Sequence, residues 1–237
     1  MSRNPKTAKQ YDFESDYRKW GEYARRFHEG SAANLDLYAR SQSLVEKVAH
    51  RHVAEANANR RRILEIGGGG GEHIAFEPPI EPDHYVVIDL EKPYLDMIRK
   101  RHDVTVMAAD GQALPFREGS FSSVISTSVF EHVIHLEHML LEIKRVLAPG
   151  GDLLVVVPTN GSPVIEIYKF FISYPFMFLH GIKRPGHIWN YVNVNSFRRV
   201  RALLKIHFTT MEERAIPFRI LPSYLSPLYF FHCRNSE

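Results

Sequence analysis

Five consecutive glycines, Gly67 to Gly71, follow directly on a short apolar run, Ile63-Leu64-Glu65-Ile66. An ordinary turn needs one or two glycines. Five of them behind a buried strand leave backbone N–H groups open to close approach by a ligand, where any Cβ would collide. Two acids occupy comparable places further along: Asp89 ends the apolar run that begins at Tyr85, and Asp110 follows Val104–Ala108. In an open α/β sheet, ligands bind beyond the carboxyl ends of the strands, so Glu65, Gly67, Asp89, Asp110 and Ser126 should meet at one crevice. A carboxylate there can accept both hydroxyls of a ribose, and a second can accept from the amino group of adenine. Leu90 and Leu114 are candidates for the apolar walls of the base. The ribose requirement alone fits a nicotinamide dinucleotide as well. No Gly-Lys-Ser/Thr follows the glycines, which argues against a nucleoside triphosphate.

The elements that must position these residues read as follows. Residues 1–10 are polar and read as disordered, and 11–58 carry helical spacing, with Trp20, Tyr23, Ala24 and Phe27 on a first helix and a second helix after Gly30-Ser31. Strands are expected at 62–66, 85–88, 104–108, 121–126 and 152–157, and helices at 94–101 and 135–147. The helix after the glycines is cut short by Pro78-Pro79, and Pro149-Gly150-Gly151 should stop the helix that begins at His135. This rhythm predicts an α/β fold with a doubly wound, mostly parallel sheet. After Pro158 it lapses: 159–194 reads as aromatic-rich and irregular, 196–206 as a basic helix, and 209–216 and 228–233 as two last strands of uncertain pairing. The domain division is therefore an N-terminal helical cap, 1–58, and a catalytic domain, 59–237, with an insertion at about 159–194.

At 237 residues, 44% hydrophobic and 24% charged, the chain suits one globular unit with a full core. The net charge of +3 does not imply nucleic acid, and the clusters Arg60-Arg61-Arg62 and Arg198, Arg199, Arg201 and Lys205 read as solvated faces. A lone cysteine, Cys233, excludes an internal disulfide and a multi-cysteine metal site. The N-terminus lacks the pattern of a secretory leader, and charges and prolines interrupt the apolar stretch 163–182, so a cytoplasmic protein is expected.

LEIGGGGG resembles the first motif, (D/E)-x-G-x-G-x-G, of class I S-adenosylmethionine-dependent methyltransferases. AADGQALPFREGSFSSVISTSVFEHV is similar to the third and fourth segments of the branch containing the ubiquinone/menaquinone-biosynthesis methyltransferases, and IKRVLAPGGDLLVVVP to the helix, turn and strand that follow. The likeness covers about residues 60–160. It implies the Rossmann-like seven-stranded class I fold with S-adenosylmethionine as cofactor and S-adenosylhomocysteine as product. Carried over, it puts Gly67, Gly69 and Gly71 against the methionine portion with Glu65 beneath, Asp89 at the ribose and Leu90 on an adenine face. Asp110 would meet the adenine amino group, Gly111 and Gln112 would close over the ring, and Ser126 and Thr127 would face the reacting methyl. Ser122 stands where the family has Asp, a position expected to be structural. The shortened helix removes helix-end stabilisation for the cofactor's carboxylate, and 159–194 matches no family motif.

Methyl transfer from a sulfonium needs no metal, but a hydroxyl or activated-carbon acceptor benefits from a general base. His132, just after the fourth strand, and His187, in Pro-Gly-His-Ile-Trp-Asn-Tyr, are the candidates; a backbone-bonded helix-start residue is the plain alternative for His132. His135 and His138 at i, i+3 lack a third metal ligand and read as a solvated face. Acceptor choice should lie with the N-terminal helices, where Tyr11, Tyr17, Trp20 and Tyr38 could form a lid, and with 159–194. That segment reads either as a core-covering helix pair or dimer face, or as an apolar pocket or membrane-edge contact for a lipid-like substrate. The expected activity is methyl transfer to a small, hydrophobic molecule. Alternatives are a non-catalytic cofactor-binding protein, a nicotinamide dehydrogenase disfavoured by the glycine spacing, and a methyltransferase acting on RNA or protein, for which no aromatic-basic interleaving exists.

Overall fold

The computed structural model describes residues 12–29, 37–217 and 220–236, with side chains throughout these except at 27 and 37–42. Residues 1–11, including Tyr11 of the expected lid, and the Gly30-Ser31 break lie outside the described residues, as does the side chain of Tyr38. Seven strands, β1 (Ile63–Ile66), β2 (Tyr85–Asp89), β3 (Thr105–Ala108), β4 (Phe121–Thr127), β5 (Leu147–Pro158), β6 (Thr209–Ile216) and β7 (Leu228–Arg234), form one sheet in the order β3-β2-β1-β4-β5-β7-β6. β1 to β5 run parallel, and β7 inserts antiparallel between β5 and β6. The expected fold class is thus the observed one, and the two last strands acquire their pairing.

The central strands bury both faces, so their alternation sorts the core into two layers. Leu153, Val155 and Val157 of β5 join Leu64, Val124 and Phe231 on one face, under α4 (Leu136–Val146) and α8 (Phe197–His207). Leu154 and Val156 join Ile63, Val87 and Phe230 on the other, under α2 (Leu37–Asn57) and α3 (Lys92–Arg101). Ala49 and Val53 place α2 firmly in that second layer. α1 (Phe13–His28) packs instead over the insertion, through Trp20 and Tyr23.

The segment 159–194, read as irregular along the chain with a helix pair among its alternatives, takes the helical form, and two further features depart from the sequence reading. Ser162 caps α5 (Pro163–Tyr168) by accepting from the Ile165 N–H at 3.3 Å, a five-residue π turn (Lys169–Ser173) leads straight into α6 (Tyr174–Leu179), and α7 (Pro185–Val192) follows. Pro175 has no N–H to give and crowds the carbonyl four residues back, a conflict the wide π turn ahead of it accommodates. α4 ends at Val146, and Pro149-Gly150-Gly151 lies within β5 rather than stopping the helix. Leu114 is buried in the core with α4, its N–H donating to Glu142 Oε2 at 2.8 Å, and forms no wall of the crevice.

The side chains read as structural keep that role. Ser122 Oγ accepts from the N–H groups of Arg61 and Arg62 at 3.4 and 3.2 Å, tying β4 to the entry of β1. Part of each basic cluster is paired: Arg60, with Arg234, meets Asp152, and Arg201 and Lys205 meet Glu213. Burial opposes ionisation of Asp152, but hydrogen bonds from His232, Arg234 and Arg60 prevail and hold its carboxyl down at about 2.

Candidate active site

Beyond the carboxyl ends of β1, β2 and β4 opens a cleft of about 1330 Å³. Its first end is the glycine loop. Gly67, Gly69 and Gly71 all adopt positive φ, at 74°, 51° and 83°, which glycine alone takes without strain. A Cβ at Gly67 would lie 2.3 Å from Val129 Cγ2, and one at Gly68 2.3 Å from Val87 Cγ1, so the loop is pressed onto its neighbours while its open side faces the cleft. The Gly67 N–H donates to the Ile88 carbonyl at 2.8 Å, fixing the loop to β2.

Asp89 completes that end. Its Oδ2 accepts from the Gly69 N–H at 3.2 Å and its Oδ1 from the Glu91 N–H at 2.9 Å, leaving each oxygen a lone pair toward the cleft. Burial pushes its carboxyl up, against the pull of those amides. Asp110 opens on the same cleft, steadied by Gln112, whose backbone N–H and Nε2 donate to Oδ1 at 2.9 and 3.2 Å. Gln112 is held in turn by the His135 N–H at 3.2 Å, while Leu90, Gly111 and Gln112 line the rim. Glu65 lies on the floor, fully desolvated, with its carboxyl raised to about 7 by burial and accepting from the Tyr85 hydroxyl at 2.9 Å.

The residues present fit an adenosyl sulfonium: a glycine loop whose positive-φ backbone leaves its open side to the cleft, two acids that line the same cleft, and a third beneath the loop. Around the loop, α1 contributes His28 and α3 contributes Arg101. His28 Nδ1 meets Glu72 Oε1 at 3.0 Å, and Arg101 donates to the carbonyls of His28 and Gly70 at 3.0 and 2.9 Å. Burial alone would lower the His28 pKa, but Glu72 raises it on balance.

Two expected members of this set lie outside the cleft. Gly71 is packed behind the loop, where a Cβ would sit 2.8 Å from His102. Ser126 is fully buried, its Oγ donating to the Ile66 carbonyl at 3.4 Å, so it supports β1 from below while Thr127 reaches the cleft. His187 also departs from expectation. It is exposed in the first turn of α7, and the residues of that helix that enter the cleft are Trp189 to Val192. The phase of α7 is set by Ile188 packing on Met177 and Ile182, which turns His187 outward.

The second end of the cleft is apolar and aromatic, walled by Trp20 and Tyr23 of α1, Trp189 and Tyr191 of α7, and Leu228, with Tyr17 at its edge. His132 lines that end, with Nδ1 taken by the Val192 backbone carbonyl, the contact of the plain alternative, and Nε2 3.7 Å from Glu131 Oε1. Glu131 is the residue that sequence reasoning missed. It lines the cleft at 3% exposure, and its Oε2 has no hydrogen-bond partner among the described residues. Burial raises its pKa, only partly offset by His132. A carboxylate inside the apolar run Val129-Phe130-Glu131 was the available signal, since an acid in such a run must find a partner or a use. Glu46 and His50 of α2 join it: burial lifts Glu46 to about 7, and burial with the neighbouring His73 drops His50 to about 3. His135 and His138 stack ring on ring at 5.5 Å and face no third donor; among the described residues the one cluster with metal-ligand spacing, Glu81, Asp83 and His84, lies outside the cleft.

Strand order, glycine loop and paired acids together define a class I methyltransferase fold. Residues 64–155 match the family model described as methyltransferase domain. A fatty-acid O-methyltransferase of Mycolicibacterium smegmatis is 31% identical over 124 residues, covering 50% of this chain and 43% of that protein. A ubiquinone/menaquinone biosynthesis C-methyltransferase of Ruegeria sp. is 31% identical over 123 residues, 46% of this chain and 49% of its own. The chain thus spans about half the length of these curated relatives. Among solved structures, the N-methyltransferase NodS of Bradyrhizobium japonicum in complex with S-adenosyl-L-homocysteine superposes with a TM-score of 0.58 at 14% identity, over 87% of this chain and 91% of that one; at that identity the likeness is one of fold.

Proposed function

We propose that the chain is an S-adenosylmethionine-dependent methyltransferase that acts on a small, hydrophobic, lipid-like molecule. The observation that carries this reading is one continuous cleft with an acid-and-glycine end built for an adenosyl group and an aromatic end holding a buried carboxylate, Glu131, one of whose oxygens has no partner among the described residues. Asp89 accepts from the ribose hydroxyls, Asp110 from the adenine amino group, and Leu90, Gly111 and Gln112 bound the ring. Gly67 and Gly69 let the methionine portion lie on the loop, with Glu65 beneath its ammonium and His28 on the side of its carboxylate. The relatives named above are, by their names, a fatty-acid O-methyltransferase and a C-methyltransferase of ubiquinone/menaquinone biosynthesis, which agrees with an apolar second end.

S-adenosylmethionine held by these residues would supply an electrophilic methyl. The protein aligns the acceptor with that methyl and excludes water. Glu131 takes the acceptor's proton, its basicity raised by burial, and His132, held by Val192, positions the carboxylate. Thr127 and Val129 border the transfer point.

Titration of S-adenosylhomocysteine into the protein and into Asp89→Ala tests the cofactor end. Two charge-assisted hydrogen bonds lost should cost about 2–3 kcal/mol, or roughly 30- to 150-fold in affinity. Unchanged affinity removes the ribose assignment, and no binding to the wild type removes the reading. Transfer of labelled methyl to fatty acids and isoprenoid phenols then identifies the acceptor.

A further inference from the structure

The helix that runs unbroken from Pro163 through the π turn to Leu179 is apolar on both sides. Its inner side, with Ile172, Phe176 and Met177, packs on Trp20 and Tyr23 of α1 and on Ile188 of α7. Its outer side exposes Ile167, Phe170, Phe171, Phe178 and Leu179, each 59–83% accessible. A surface helix of a water-soluble domain turns a polar face outward, and a patch of five large apolar side chains exceeds what scattered exposure explains. The helix's one acid, Glu166, is paired with Lys169 at 2.5 Å.

The edge of this face is cationic. Lys183 and Arg184 follow Leu179 on the surface, and Arg18 is exposed on the facing side of α1, where Lys19 Nζ donates to the Gly181 carbonyl at 2.8 Å. Of the acids on α1, Asp16 is buried, its Oδ2 accepting from the N–H groups of Lys183 and Arg184 at 2.8 and 3.0 Å, while Glu14 and Glu22 are exposed one turn either side of Arg18, so the cationic edge rests on Lys183 and Arg184. Protruding aromatic and aliphatic side chains with a cationic fringe match an anionic bilayer surface, whose interior takes the apolar groups and whose phosphates meet the charges. Among the described residues no helix is long and apolar enough to cross a membrane.

We infer that the outer side of the helix 163–179 docks on an anionic lipid bilayer and that the helix is the port through which a membrane-borne acceptor reaches the cleft. The same helix that would lie in the lipid packs, by its inner side, on Trp20 and Tyr23, which wall the apolar end of the cleft. An acceptor leaving the bilayer there has one helix thickness, about 10 Å, to cross. The port rests on the methyltransferase reading; the docking does not.

Sedimentation of the full chain with vesicles tests it without turnover. Wild type should sediment with vesicles of equal parts phosphatidylcholine and phosphatidylglycerol, less with phosphatidylcholine alone, and less at high salt. The double substitution Phe170→Ser with Phe171→Ser should cut partitioning about tenfold or more, from the apolar area withdrawn, while affinity for S-adenosylhomocysteine stays at the wild-type value. Leu179→Asp, at the most exposed of the five, repeats the test should the double variant fold poorly. Wild type left in the supernatant with the mixed vesicles, or undiminished binding by both variants, overturns the docking. A wild-type dimer dissociated by the same substitutions also overturns it, assigning the face to a second copy of the chain. Loss of S-adenosylhomocysteine binding in the wild type would sink the methyltransferase reading and leave vesicle binding standing.

Discussion

The two ends of the cleft are built on different principles. At the glycine end, recognition groups are backbone amides and short acids at strand ends, and nearly all are satisfied before a ligand arrives: Asp89 by two amides, Asp110 by Gln112, Glu65 by Tyr85. At the aromatic end, α1, α2, α7 and the Phe130–His132 turn contribute side chains from remote parts of the chain, and polar atoms of His50 and Glu131 stay buried without partners among the described residues. Buried polar groups are normally paired, so an end that leaves them open is waiting for something to pair with. The contrast assigns a preorganised, generic grip to one end and selectivity with proton handling to the other.

If that division is right, substitutions should separate cofactor affinity from turnover. The largest effect is expected at Glu131. Glu131→Gln preserves shape and burial but removes the proton acceptor, so kcat should fall about 100- to 1000-fold while S-adenosylhomocysteine binds as before. An equal fall in cofactor affinity would mean that Glu131 belongs to the first end. Gly67→Ala reverses the pattern: a Cβ 2.3 Å from the stiff Val129 side chain, at a φ of 74°, displaces the loop. Cofactor affinity should drop roughly 100-fold, about 3 kcal/mol of strain and lost contact, measured by calorimetry beside a melting curve to separate binding from folding.

The same contrast decides what the sequence could tell. The glycine end was legible because its signals are local: β1 runs into the glycines within eight residues, and Asp89 and Asp110 each terminate an apolar run. Even there, neighbours at a strand end point to opposite sides. Ser126 and Thr127 looked equivalent as residues, yet one is buried under Ile66 and the other lines the cleft. At the aromatic end the placement is tertiary. The phase of α7 comes from contacts with α1 and α6, which present Trp189 and Tyr191 and withdraw His187. His50 is hidden in the seam of α2 that also buries Ala49 and Val53, and no pattern distinguishes it from a packing residue. The helical nature of 163–179 was obscured by Pro175, because the π turn that admits it has no sequence periodicity of its own.

A titration sharpens the comparison further. Burial holds Glu65 at about 7 in the free protein, against an ordinary 4.5. The folded value is the raised one, so its contribution to stability is fully present below the ordinary carboxylate value and is lost as pH rises through about 7. Binding an ammonium above it favours the ionised form and releases a proton. Affinity for S-adenosylhomocysteine should therefore rise up to about tenfold per pH unit from about pH 5 to about pH 7 and then level off. Calorimetry in buffers of different ionisation enthalpy should register the released proton below pH 7, and Glu65→Gln should abolish both effects. A flat profile would remove the ammonium from the floor of the glycine end.

The smallest effect tests whether the aromatic end discriminates at all. Burial and His73 keep His50 neutral, at about 3, with Nδ1 unpartnered beside the cleft. A neutral imidazole can contribute one hydrogen bond to an acceptor, typically about 0.5–1.5 kcal/mol, or two- to tenfold. His50→Gln should raise the acceptor KM by that factor and leave kcat, S-adenosylhomocysteine affinity and the pH profile of Glu65 in place. Should cofactor affinity move with KM instead, the two ends share one binding energy and their separation fails. Should KM hold for every acceptor while Glu131→Gln still abolishes turnover, the aromatic end supplies the base without the selectivity, and selectivity shifts outward to α1 and the face of helix 163–179.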